Sequence, residues 1–125
     1  MSGRAADGYR RPVNLEELTD EVDAVSRLYA ERHGIQRAAA WFLLKLQQEV
    51  GQMTQAYLMK TGQARDKGQT LEQLDGAFRA ELADVLSQVL LIARHHEVDL
   101  EPEIEAKWLY WNPDWTRRHP GAAAR

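Results

Sequence analysis

The chain predicts an all-α fold, a bundle of antiparallel helices. Three observations predict it. Apolar residues recur at spacings of three and four in four successive segments. No segment alternates convincingly with period two. Caps, glycines and prolines punctuate the segments where helices should begin and end.

Residues 1–13, rich in Gly, Arg and Ala, read as a flexible N-terminal tail. Asn14 is positioned to cap the first helix, with Glu17 at the capping-box position. Leu15, Leu18, Val22, Val25 and Tyr29 form its apolar face, and His33-Gly34 ends it. The second helix is expected from about Gln36 to Lys60, with Ala39, Phe42, Leu46, Val50, Met53 and Tyr57 as its stripe. Gly51 lies inside it, which costs roughly 1 kcal/mol relative to alanine and would allow close approach of a helix or ligand. The polar stretch from Thr61 to Thr70 reads as a loop. The third helix should start at Leu71, or at Phe78 after a break at Gly76, and run to His96. Its core face is Phe78, Leu82, Val85, Leu86, Val89 and Ala93. Asp99 is expected to cap a fourth helix, with Pro102 in its first turn and Ile104, Trp108 and Trp111 on its apolar side. Asn112-Pro113 should stop it. The helical domain therefore spans 14–113, and 114–125 reads as a frayed C-terminal tail.

The chain has 125 residues, which suits one domain. Its formal charge of -3 gives no electrostatic case for a nucleic-acid partner. No cysteine is present, so disulfides, thiolate metal sites and cysteine nucleophiles are excluded. No apolar run approaches the roughly 20 residues of a membrane span, and residues 1–8 lack the apolar core of a secretory signal. A cytoplasmic protein with no membrane partner is the expectation. Four helices of this size make a thin core, and the first and fourth carry apolar faces. With three tryptophans near the C-terminus, that predicts burial against further copies, as a homodimer or homotetramer.

The chemistry is carried by two short pairs. Glu49 and Gln52 lie on the second helix, and Glu81 and Asp84 on the third. Each pair is spaced i, i+3, so its two side chains share a helix face. Both pairs border an apolar stripe, where an unpartnered carboxylate loses hydration. Opposed in a bundle, such faces surround a hard divalent cation with oxygen donors. Acids at this spacing also occur on ordinary solvated helices, so from the residues alone a solvated surface stays open as the alternative.

The stretch from Lys45 to Ala56, then Glu81-Leu-Ala-Asp84-Val-Leu, then Val98 to Lys107, resembles the MazG-type all-α nucleoside triphosphate pyrophosphohydrolases. That family carries E-E-x-x-E on one helix, E-x-x-D on the next, and then a short helix ending in lysine. The likeness covers about residues 36–110. It implies hydrolysis of a nucleoside triphosphate to the monophosphate and pyrophosphate, with a role in clearing surplus or non-standard nucleotides. It also implies Mg²⁺ held by Glu49, Glu81 and Asp84, and phosphate met by Lys107; the charge missing at Gln52 makes Mn²⁺ the alternative cation. Gln48 and Gln52 stand where the family's first and last motif glutamates would be. An amide oxygen at 52 can still coordinate a hard cation but brings no charge. The same fold without catalysis, binding nucleotide as a regulator, is the alternative those two glutamines favour. A helical interaction module is the third reading.

Trp41 is a candidate to stack on a base, with core or interface as its ordinary use. Lys45, one turn before Glu49, is a candidate for phosphate or for pairing with that acid. His95 and His96 point about 100° apart on a helix and do not suit one metal.

Overall fold

The computed structural model describes residues 14–124; the expected N-terminal tail lies outside them. The described chain is all-helical: α1 Leu15–His33, α2 Ala39–Lys60, α3 Leu71–His95, α4 Leu100–Lys107, a 3-10 turn Leu109–Trp111, and α5 Pro113–Arg118.

The packing of α2 on α3 dominates the fold. The two helices are antiparallel. Phe42 near the start of α2 meets His95 at the end of α3, ring centroids 5.1 Å apart. At the other end Lys60 pairs with Asp75 at 2.6 Å and lies over Phe78. Phe42, Ala56, Leu74, Leu90, Leu91 and Ala93 are buried, with Leu90 only 1 % exposed. The third-helix face is therefore rotated from the expected one. Leu82 and Leu86 are about half exposed, while Leu90 and Leu91, absent from the expected stripe, fill the centre. An apolar stripe wider than one neighbour can cover leaves its edge in solvent.

α1 begins as expected, with Asn14 Oδ1 accepting from the Glu17 backbone N–H at 2.8 Å. It ends at Gly34, whose φ of 63° lets Ile35 N–H reach back to the Ala30 carbonyl. Its buried residues are Thr19, Asp23, Ser26 and Ala30. Val25 and Tyr29 of the expected apolar face are exposed. The cause is an ion pair. Asp23 accepts from Arg27 Nε at 2.9 Å and from Arg37 Nη1 at 2.8 Å, and Arg37 also donates to Ser26 Oγ. Arg37 in turn lies over the Phe42 ring, 5.3 Å from its centroid. The connector thus doubles back along α1 and is anchored at its middle. That anchor holds Arg37 and Ala38 out of the helix, so α2 starts at Ala39 rather than near Gln36. Asp20 early in α1 pairs with Arg94 late in α3 at 2.7 Å, which sets α1 antiparallel to α3.

α3 starts in a full capping box, Thr70 Oγ1 accepting from Gln73 N–H and Gln73 Oε1 from Thr70 N–H. It runs through Gly76 without a break. Leu74 is buried on one side of that glycine, and Phe78 packs on Tyr57 on the other. Tertiary packing therefore overrides the weak helix propensity of glycine.

The C-terminal part departs most from expectation. Asp99 makes no side-chain cap bond, and α4 stops at Lys107, before Trp108. Asn112-Pro113 starts a helix rather than only ending one. Asn112 Oδ1 accepts from Asp114 N–H at 3.0 Å, and Pro113 occupies the first turn. α5 therefore crosses the expected domain boundary and orders part of the expected frayed tail, closing with Trp115 stacked on His119. α4, the 3-10 turn and α5 pack chiefly on one another. Trp108 and Trp111 are more than 70 % exposed. No helix among the described residues is long and apolar enough to cross a membrane.

Burial raises the Asp23 carboxyl, but the hydrogen bonds and charges of Arg37 and Arg27 outweigh it and hold the group below the usual aspartate range. A lowered folded value means this contribution is present above that range and lost as pH falls through the folded one. Arg37→Met keeps the apolar stem but leaves Asp23 half-partnered. It is expected to lower stability by about 2 kcal/mol in urea unfolding at neutral pH, with the difference shrinking in acid.

Candidate metal centre

Two positions three apart on α2 and two on α3 meet where the helices pack. Antiparallel packing places the middle of α2 beside the middle of α3, which is where Glu49, Gln52, Glu81 and Asp84 lie. One carboxylate oxygen each from Glu49, Glu81 and Asp84 lies within 4.8 Å of the others. Glu49 and Glu81 are half-buried and Asp84 is exposed. The pairs expected from spacing alone thus converge in space.

Gln52 joins them. With its amide nitrogen turned to the acids, the orientation that satisfies both neighbours, it donates to Glu49 Oε1 at 2.8 Å and to Glu81 Oε2 at 3.2 Å. Gln48 points elsewhere and accepts from Lys45 Nζ at 3.3 Å. Lys45 therefore pairs with the amide at 48. A Cβ at Gly51 would meet nothing within 4 Å, so no close approach of another element requires glycine there.

Beside the acids runs a groove of about 490 Å³ between α1, α2 and α3. Glu49 and Asp84 form its acidic edge. Val22, Val25 and Tyr29 of α1 and Trp41 of α2 give it apolar walls, and Lys45 reaches it from α2. Trp41 is partly buried and packs edge-on against Phe42, so it serves the core and the groove wall together. Lys107 is exposed at the end of α4 and does not line the groove. The structure brings together Glu49, Gln52, Glu81 and Asp84, with Lys45 and Trp41 alongside, and leaves Lys107 apart.

Sequence reasoning missed two contributors. Tyr29 and its α1 neighbours were expected in the core and instead wall the groove. Gln88 also lines it, and its buried Oε1 has no hydrogen-bond partner. Its place one turn after Asp84 was the available signal. His95 is committed to the Phe42 ring, and the histidine pair is not part of the acidic group.

The donor set suits a hard divalent cation. It offers three carboxylates on two rigid helices, with an exposed side through Asp84 that leaves room for waters and a substrate. A soft or thiolate-preferring ion finds no ligand here. Comparisons with family models, curated proteins and solved structures find no match.

Burial first, then the charges of Asp84 and Glu49, push the Glu81 carboxyl above the usual glutamate range, and the Gln52 N–H opposes them. For an acid raised in this way, the stability tied to it is present at low pH and lost as pH rises through the folded value. Glu81→Gln is therefore expected to raise the melting temperature of the metal-free protein at neutral pH and to change it little below the glutamate range.

Proposed function

We propose that this chain is a metal-dependent nucleoside triphosphate pyrophosphohydrolase, releasing the monophosphate and pyrophosphate. The observation that supports the reading is the convergence of Glu49, Glu81 and Asp84 at the edge of a groove with apolar walls and a lysine. The MazG-type motif order that the same residues resemble points the same way. Glu49, Glu81 and Asp84 would hold Mg²⁺ or Mn²⁺, with Gln52 beside them. When bound, the cation supplies charge neutralisation for the phosphates and lowers the pKa of water at the site.

The chain's own residues do the rest. A carboxylate of the group orients the attacking water and takes its proton. The water oxygen bonds to the α-phosphorus as the bond to the pyrophosphate oxygen breaks. Lys45 faces the developing phosphate charge from the groove. Trp41 and Tyr29 offer ring faces to the base, which shields it from water. Lys107 can serve phosphate only if α4 is brought to the groove, as a neighbouring copy could do.

A second reading, nucleotide binding without turnover, is favoured by one observation. Gln52 contributes no charge to a group that would carry four with glutamate. Nucleotide-dependent thermal stabilisation without product would distinguish it. The reading also includes a homodimer or homotetramer, supported by exposed Val25, Leu28, Leu43, Leu44, Trp108 and Trp111. Sedimentation at micromolar concentration should give two or four copies, and a monomer would refute this part.

The functional test is a pyrophosphate-release screen over dNTPs and NTPs with Mg²⁺ and with Mn²⁺. Release from at least one nucleotide is expected, and Asp84→Asn should lower it by at least about 100-fold. Silence across the panel with both metals would sink the enzymatic reading.

A further inference from the structure

We propose that Gln52 is a built-in stand-in for the cation. Its amide nitrogen ties Glu49 to Glu81 when no ion is bound, and an entering ion must turn or displace it. The inference rests on the metal-dependent reading for what the site holds.

The geometry carries the argument. A primary amide has two N–H donors, and with the Gln52 amide assigned so that its nitrogen faces the acids, they reach two different carboxylates, at 2.8 and 3.2 Å. One acid is on its own helix and the other on α3, so the amide is a bridge across the packed pair. Hydrogen bonds to ionised acceptors are stronger than neutral ones. Three carboxylates within 4.8 Å repel one another, and the amide hydrogens offset that without an ion. A glutamate at 52 would do the reverse. It would put a fourth acid within hydrogen-bond distance of two others.

The same side chain then limits cation affinity in two ways. It adds no charge, and both of its bonds must be released before the ion enters. Once turned, it presents Oε1, an oxygen donor of the right hardness. The site should therefore be well ordered when empty and fill only at high cation concentration. Glutamate would give a site that is strained when empty and tight when filled.

The test uses the full chain stripped with a chelator, and reads melting temperature and Mn²⁺ affinity by calorimetry. Gln52→Glu should melt about 3–6 °C lower without cation, recover on Mn²⁺ addition, and bind Mn²⁺ at least about tenfold tighter. Gln52→Met, similar in size but with no donor, should also melt lower, with no gain in affinity. Either variant melting with the parent in the absence of metal would overturn the proposal. So would unchanged Mn²⁺ affinity in Gln52→Glu, or no binding by either protein. A parent that binds Mn²⁺ but releases no pyrophosphate would refute the enzymatic reading and leave this one standing.

Discussion

The antiparallel contact of α2 with α3 is the constraint on which the rest depends. It buries Phe42, Ala56, Leu74, Leu90 and Leu91, most of the apolar core. It also fixes the axial register of the two helices, through Lys60–Asp75 at one end and Phe42–His95 at the other. Spacing of i, i+3 puts two side chains on one face of each helix, but only that register sets the faces opposite one another. Slipping α3 by one turn would move Glu81 and Asp84 about 5 Å along the axis and separate them from Glu49. The candidate metal centre is thus a product of core packing.

The position of α1 is decided by charge more than by apolar area. Asp23 is buried and paired with Arg37 and Arg27, so its burial is compensated rather than wasted. The same Arg37 covers Phe42, linking the ion pair to the α2–α3 core. This turns the small polar side of α1 inward and its larger apolar residues toward the groove and solvent. The groove beside the acids exists because Val22, Val25 and Tyr29 were left out of the core. One buried pair therefore shapes both the edge of the bundle and the wall of the candidate binding site.

The C-terminal segment follows local rules. Asn112 caps, Pro113 starts the helix and Trp115 closes it on His119. Such short elements are held by their own caps and ring contacts rather than by the bundle. The cost is a surface that keeps two tryptophans in solvent, beside a bundle that exposes several leucines. A core this small and a surface this apolar belong together. They are the same shortage of partners seen from inside and outside.

From the sequence alone, the helical class, the caps at Asn14 and Gly34, the end of α2 and the grouping of Glu49, Glu81 and Asp84 were all legible. Each depends on local chemistry: backbone groups that need caps, a 3.6-residue period, and acids three apart. The rest depended on residues far apart in the chain. Periodicity identifies an apolar stripe but not which edge of it a neighbour covers. It therefore named Leu82 and Leu86, where the fold buries Leu90 and Leu91. Caps mark possible helix starts, yet Arg37 is held outside α2 by an acid fourteen residues earlier. Gln52 read as a charge missing from a motif. Only the packed pair of helices brought its amide within reach of Glu49 and Glu81, because a hydrogen bond between elements requires a distance that no local pattern contains.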